Sequence, residues 1–296
     1  MVCGALLWGT TGTAQALGPA AAQPLAVGTL RIIIAGVLFV FLASLTGQFP
    51  RPRREDAPWI FFGALLVLAF QLLFFAGVRI VGVAVGTILQ IGVAPLAAGA
   101  LGALVLRESI SREWVAFTVV GVLGMVLVTL FAPDSPAGAA TAALSRERYL
   151  FGAFAALGAG ISYAGFSLAL KQLTRRMTSM EAATLLFAAA AIPAVPIAFS
   201  FNLSWLATLS GSFMIAHLGV LATAVAYLLF SSGIQTVHFG SAITATLIEG
   251  ATAALLGVLL VGEALGALQV AGIALVLLSV WFNGRHSDPR EMAPTG

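Results

Sequence analysis

Ten continuous apolar runs, most about 20 residues long, follow one another along the chain at residues 2–18, 24–46, 57–78, 81–106, 112–132, 149–171, 179–200, 212–235, 238–261 and 265–282. Short joints rich in glycine, proline or charge separate them. A strand of a membrane barrel alternates apolar and polar positions over about 10 residues. These runs are twice as long and do not alternate, so each predicts a helix long enough to cross a bilayer. Two stretches lack the pattern: Pro133 to Arg148, rich in Pro, Ala, Gly and Ser, and Asn283 to Gly296, expected to be a disordered tail. The expectation is an all-α integral membrane protein of ten transmembrane helices, with units at 1–132 and 149–282 joined by a linker at 133–148.

The two units are copies. His238 to Glu263 and Val83 to Glu108 lie 155 residues apart, and both open on small residues, carry a polar group near the middle (Glu249 and Gln90) and end in a Leu/Val-rich turn and a glutamate. The same offset pairs Trp8 with Tyr163, Thr29-Leu30 with Thr184-Leu185, and Phe75 with Phe230 without a gap. Each unit has five spans. An odd number inserts the second unit upside down, giving two inverted five-helix repeats about a pseudo-two-fold axis in the membrane plane, with a substrate site expected between them at mid-depth.

Composition agrees with the pattern. Hydrophobic types make up 60% of the 296 residues and charged types 8%, against about 25% in a soluble domain. The net charge of +3 does not point to nucleic acid, because the basic residues sit singly or in short clusters between runs. With the N-terminus in the cytoplasm, the inner loops hold Arg51, Arg53, Arg54, Arg107, Arg112, Lys171, Arg175, Arg176, Arg285 and Arg290, and the outer ones Arg79, Arg146 and Arg148. That bias predicts cytoplasmic N- and C-termini. Trp59, Trp114, Trp205 and Trp281 fall at span ends, as interfacial anchors do. Met1 to Leu7 carries no Lys or Arg, so the first run reads as a span and not as a cleaved leader. The single cysteine, Cys3, offers neither an internal disulfide nor a metal site.

Chemistry concentrates at few positions. Glu249 is the one acid at mid-span, where a charge costs roughly 2.5–3.5 kcal/mol, and no Lys or Arg is expected at its depth. It reads as a contact for a substrate amino group, as a carrier of a coupling proton, or as a structural acid bonded to a neighbouring helix. Arg31 lies about two turns inside the second run; its stem either snorkels to the surface or its guanidinium bonds backbone carbonyls between helices. Glu108 and Glu263 end their spans just before another helix, where a carboxylate suits the following helix N-terminus, with Ser111 as its N-cap. His217 and His238 lack metal-ligand spacing. No nucleophile elbow, zinc-protease motif or phosphate loop occurs, so an enzyme is not expected, and no cofactor is implied.

LLWGTTGTAQ on the first run, PLAVGTLRIIIAG on the second and APLAAGALGALVLRES from Ala94 to Ser109 together resemble the drug/metabolite transporter superfamily, EamA type. The chain looks most like the YddG-type exporters of aromatic and other amino acids. The second unit departs from the first: Pro95 aligns with Gly250 and Arg31 with Leu186. The resemblance implies a ten-helix bundle in a bacterial inner membrane, monomeric, with a central cavity lined by the first, third, fourth, sixth, eighth and ninth helices. The polar residues on those helices are then the substrate-binding candidates: Thr10, Thr13, Gln15, Gln71, Thr87, Gln90, Ser162, Tyr163, Ser167, His217, Tyr227, Thr244, Thr246 and Glu249. Arg31, Pro95, Glu108 and Glu263 take structural parts. The function implied is export of neutral and aromatic L-amino acids by alternating access; the rival is a proton-coupled exporter of cationic drugs acting through Glu249.

Overall fold

A computed structural model describes residues 1–130, 145–261 and 266–285. Most of the linker, Glu263 and the tail beyond Arg285 lie outside the described residues. Helices α1 (Val2–Ala16), α2 (Pro24–Thr46) and α3 (Ala57–Val81) lead into α4, which is α-helical over Val83–Leu101 and π-helical over Gly102–Leu106. Then come α5 (Arg112–Leu130), α6 (Arg146–Leu173) and α7 (Ser179–Phe199). Helix α8 spans Leu209–Ile234 with a π-helical centre, His217–Val225. Helix α9 runs from Phe239–Thr244 through a 3-10 turn, Ala245–Leu247, and Ile248–Leu256 into a second π-helix, Gly257–Val261. Helix α10 is Ala267–Arg285. No strand occurs among the described residues.

Eight of these, α2 to α9, are long and apolar enough to cross a membrane; α10 supplies a shorter apolar stretch and α1 is 15 residues. Leu, Ile and Phe side chains such as Phe61, Phe154, Ile192, Phe213 and Leu259 stand exposed on the outside of the bundle. In a chain with so few charges, that surface faces lipid.

Local sequence explains where the helices begin and end. Pro24 opens α2 and the left-handed Gly47 closes it. Gly82, with φ +87°, lets the chain reverse between α3 and α4. Ser111 caps α5 by accepting from Trp114 N at 3.0 Å, as expected. Helix α6 starts inside the expected linker, at Arg146, because Ser145 accepts from Arg148 N and Glu147 sits at the positive helix end. Helix α10 runs a turn into the expected tail, where Asn283 is buried and donates to Ser279 O at 3.0 Å.

Helix pairing follows the 155-residue offset. The extensive contacts are α2 with α7, α5 with α10, α3 with α6, α4 with α6, α1 with α8 and α1 with α9. Exchanging the first five helices for the second five maps this set onto itself. The π-helices starting at Gly102 and Gly257, and the helices starting at Pro24 and Ser179, are also 155 residues apart. The main core takes residues from both units, including Trp8, Phe39, Tyr163, Phe166, Phe187, Tyr227 and Phe230.

Two tryptophans do not anchor at an interface. Trp205 is 3% exposed within a cluster with Val27, Met214 and Leu218. The Trp114 ring lies against Gly99 and Gly240, in the space their missing side chains leave. Trp281 is exposed and stacks under the Arg285 guanidinium at 4.0 Å, as an anchor would.

Candidate functional site

Where α1, α6, α8 and α9 meet, the interior is aromatic and carries charge. The Trp8 ring lies 4.8 Å from Tyr227, 5.3 Å from Phe230 and 6.1 Å, edge-on, from Tyr163. Phe70 closes on Tyr163 at 5.5 Å, and Phe166 contacts both tyrosines at 5.4 Å. Trp8 and Tyr163 are 155 residues apart, so the two equivalent positions of the repeat touch each other.

Glu249 joins this cluster from α9. It sits in the first turn of Ile248–Leu256, just past the 3-10 turn that redirects the helix. Its charge acts on Tyr163, Tyr227 and Arg31. By accessible area it is half-buried. Thr246, one turn earlier, is buried and donates to Ile243 O at 2.7 Å. Gly9 permits this approach of α1, because a β-carbon there would stand 2.6 Å from Thr252 Cβ and 2.8 Å from Glu249 O.

Arg31 acts on Glu249 through the interior, although no ion pair joins the two among the described residues. The reason lies in α8. A π-helical stretch displaces the ordinary i→i−4 pairing, and Thr223 Oγ1 donates to Leu218 O, five residues back, at 2.7 Å. Arg31 fills the disturbed region: its Nε donates to Thr223 Oγ1 at 2.8 Å and its Nη2 to Ala222 O at 3.0 Å. At 9% exposure Arg31 does not snorkel. It makes the interhelical bond to a backbone carbonyl that the sequence left as one of two readings. The π-helix is what carries its charge toward the centre, and nothing in the residue pattern announces it.

Thr10 and His217 form a neighbouring pair, with Thr10 Oγ1 and His217 Nε2 2.7 Å apart and Thr10 also donating to Leu7 O. Ser162 and Ser167 are buried on α6, and Thr13 on α1. Other candidates are committed to packing. Gln15 bonds its own helix at Thr11 O, and Gln71 donates to Gly28 O between α3 and α2. Thr244 bonds Gly240 O and Thr118 Oγ1 toward α5. Gln90 is buried where α4 meets α6, and Gly160 there leaves room for the Gln90 carbonyl. Thr87 is half-buried in the first turns of α4. Pro95 is buried inside α4, which continues through it.

Glu108 caps a helix, but not the one that follows it in sequence. Its Oε2 accepts from Phe239 N, at the start of α9, at 2.6 Å. Its Oε1 accepts from Lys171 Nζ at 2.9 Å, and Lys171 also donates to Val237 O at 2.7 Å. Lys171, expected on a loop, is buried; this ion pair ties the ends of α4, α6 and α9 together. Sequence reasoning missed Lys171, Thr223 and Trp8. For Trp8 a signal was present, since the repeat register matched it with Tyr163.

Among the described residues no group of His, Cys, Asp and Glu is placed to hold a metal ion.

Comparison with known proteins matches the EamA-like transporter family over residues 1–130 and again over 150–285. A relative described as the uncharacterized transporter YwfM of Bacillus subtilis (strain 168) is 35% identical over 276 residues, covering 93% of this chain and 89% of its own. One solved protein crystal structure superposes with a TM-score of 0.79 at 17% identity, over 98% of this chain and 96% of that one. The last likeness shows a shared fold.

Proposed function

As this chain belongs to the EamA-like transporter family, and is a multi-pass membrane transporter and not an enzyme, we propose that it exports L-amino acids, neutral and aromatic, through a site between two inverted halves. One observation carries the proposal: helices of both halves bring Glu249 and Arg31, opposite charges in reach of each other, to an aromatic cluster formed by Trp8, Tyr163 and Tyr227. A zwitterion with an apolar or aromatic side chain needs three things: an anion for its ammonium, compensating positive charge, and apolar walls. Glu249 takes the ammonium. Arg31, held by Thr223 and Ala222 O, is a positioning charge that offsets Glu249.

The ten-span, inverted arrangement is supported by helix contacts that survive exchange of the halves and by the family match to each half separately. With the termini in the cytoplasm of a bacterial cell, rocking one half against the other opens the site to alternate sides. A monomer suffices for this path. Nothing in the chain binds ATP by a phosphate-loop motif, so the gradient of substrate, or of protons, drives the flux.

The second reading keeps Glu249 as an exchanger of a proton for a cationic drug, favoured by its partial accessibility. Uptake of labelled amino acids into proteoliposomes, for wild type and Glu249→Gln, each with and without a pH gradient, separates the two. Amino-acid flux without a gradient, weakened at least about tenfold in affinity by Glu249→Gln, supports the substrate contact. Flux that needs the gradient, with only that response lost in Glu249→Gln, supports proton exchange. Absence of amino-acid flux in wild type contradicts the proposed substrate.

A further inference from the structure

Three polar atoms of the central cluster are buried and unpaired. The Trp8 indole Nε1, the Tyr163 hydroxyl and the Ser167 hydroxyl have no hydrogen-bond partner among the described residues. The residues are 5%, 6% and 0% exposed. They belong together. Ser167 is one turn beyond Tyr163 on the same face of α6, and Trp8 meets Tyr163 across the helix interface. The Tyr163 hydroxyl has the side chains of Ser167 and Thr246 within interaction distance, although as they stand no hydrogen bond joins them. Thr246 has already given its proton to Ile243 O.

Elsewhere the bundle handles its buried hydroxyls differently. Thr29, Thr174, Thr184, Thr223, Ser231 and Thr244 each donate to a carbonyl of their own helix. Trp114, Trp205 and Ser279 also carry unpartnered atoms, but away from this cluster. Buried polar groups left without a partner are costly, and a native structure keeps them where something else completes them. An indole N–H can only donate, and each hydroxyl can donate as well. Whatever completes the indole must accept a hydrogen bond, and one group with several lone pairs, a carboxylate, can take the two hydroxyl protons as well.

We propose that Trp8 Nε1, Tyr163 Oη and Ser167 Oγ form an acceptor-binding subsite that takes the carboxylate of the substrate, whose ammonium lies toward Glu249. The subsite rests on the central-site reading above and sharpens it. A cation without a carboxylate can bond the two hydroxyl oxygens but leaves the Trp8 N–H unsatisfied. A site built to bond a polar group discriminates against an analogue lacking that group, because its own donors then stay buried and unpaired. The transported molecule is accordingly an amino acid and not a simple amine.

Equilibrium binding to the purified full chain in nanodiscs, with phenylalanine and phenethylamine as probes, tests this. The two share ring and ammonium and differ in the carboxylate. Wild type is expected to prefer phenylalanine by at least about tenfold. Trp8→Phe, Tyr163→Phe and Ser167→Ala each narrow that preference by several-fold, weakening phenylalanine more than phenethylamine. Tyr163→Phe and Ser167→Ala remove only an unpartnered hydroxyl oxygen, so their melting temperatures should hold or rise, which guards against a folding artefact. Equal binding of the two probes by wild type, or variants that weaken both alike, overturns the subsite while the central site stands. Binding of phenethylamine alone favours the cationic-drug reading and overturns the subsite. Binding of neither overturns the amino-acid reading itself and the subsite with it.

Discussion

Gly9 sets how closely α1 approaches Glu249. A methyl group there would press on Thr252 Cβ and the Glu249 carbonyl, at 2.6 and 2.8 Å, and neither the β-carbon nor the helix backbone can yield cheaply. Gly9→Ala is expected to destabilise the bundle by about 1–3 kcal/mol, the range for overpacking a close contact. Gly12, about one turn on, has nothing within 4 Å of such a methyl, so Gly12→Ala should be neutral or slightly stabilising. Thermal unfolding of the two variants in one detergent checks the contrast; similar midpoints would mean that α1 does not pack as described. At this scale the sequence was legible in part. Glu249, Tyr163, Tyr227, Ser167 and Thr246, all polar residues on apolar runs, lie in one region of the interior. Gln15, Gln71 and Thr244 hydrogen-bond to groups of the bundle, because a polar side chain in an apolar helix is satisfied as readily by a nearby carbonyl as by a substrate. Trp8 escaped a search that passed over indoles, although its N–H is a donor.

Among elements, the junction of α4, α6 and α9 depends on one ion pair. Lys171 and Glu108 have side chains only 8% and 15% exposed, so removing either strands the other's charge. Lys171→Met should cost about 3–5 kcal/mol, the range for breaking a buried pair. Lys171→Met combined with Glu108→Gln should recover part of that loss, since no uncompensated charge then remains. Denaturant titration measures both; a neutral Lys171→Met would show that the junction does not rely on the pair. The existence of each helix was legible from apolar runs alone, because a membrane allows few alternatives. The interruptions were not. The π-helix in α8 and the 3-10 turn in α9 leave no mark on the apolar pattern, yet Arg31 bonds at the first and Glu249 follows directly on the second. Likewise Glu108 was rightly read as capping a helix, but which helix depends on how α4 and α9 are brought together.

Over the whole molecule, the repeat carries most of the reasoning. One offset relates apolar runs in the sequence, π-helices in the fold and pairs of packed helices, so each half presents an equivalent surface to the other. Contact between Trp8 and Tyr163, equivalent positions of the two halves, locates the centre of that relationship inside the candidate site. Asymmetry between the halves then supplies the chemistry. In the 155-residue register Glu249 stands where the first half has Ala94, and Arg31 where the second half has Leu186. Each half thus contributes one charge that its counterpart lacks.

The claim on which the rest depends is that the halves insert in opposite senses. Gln48, after α2, and Leu203, after α7, are 155 residues apart and occupy equivalent joints. In a Cys3→Ser background, single cysteines at these two positions can be labelled in intact cells and in inverted vesicles by a thiol reagent that does not cross membranes. The account predicts opposite sides: Gln48→Cys labelled only in inverted vesicles, Leu203→Cys only in intact cells. Labelling of both from the same side would contradict the inverted arrangement, and with it the site between the halves.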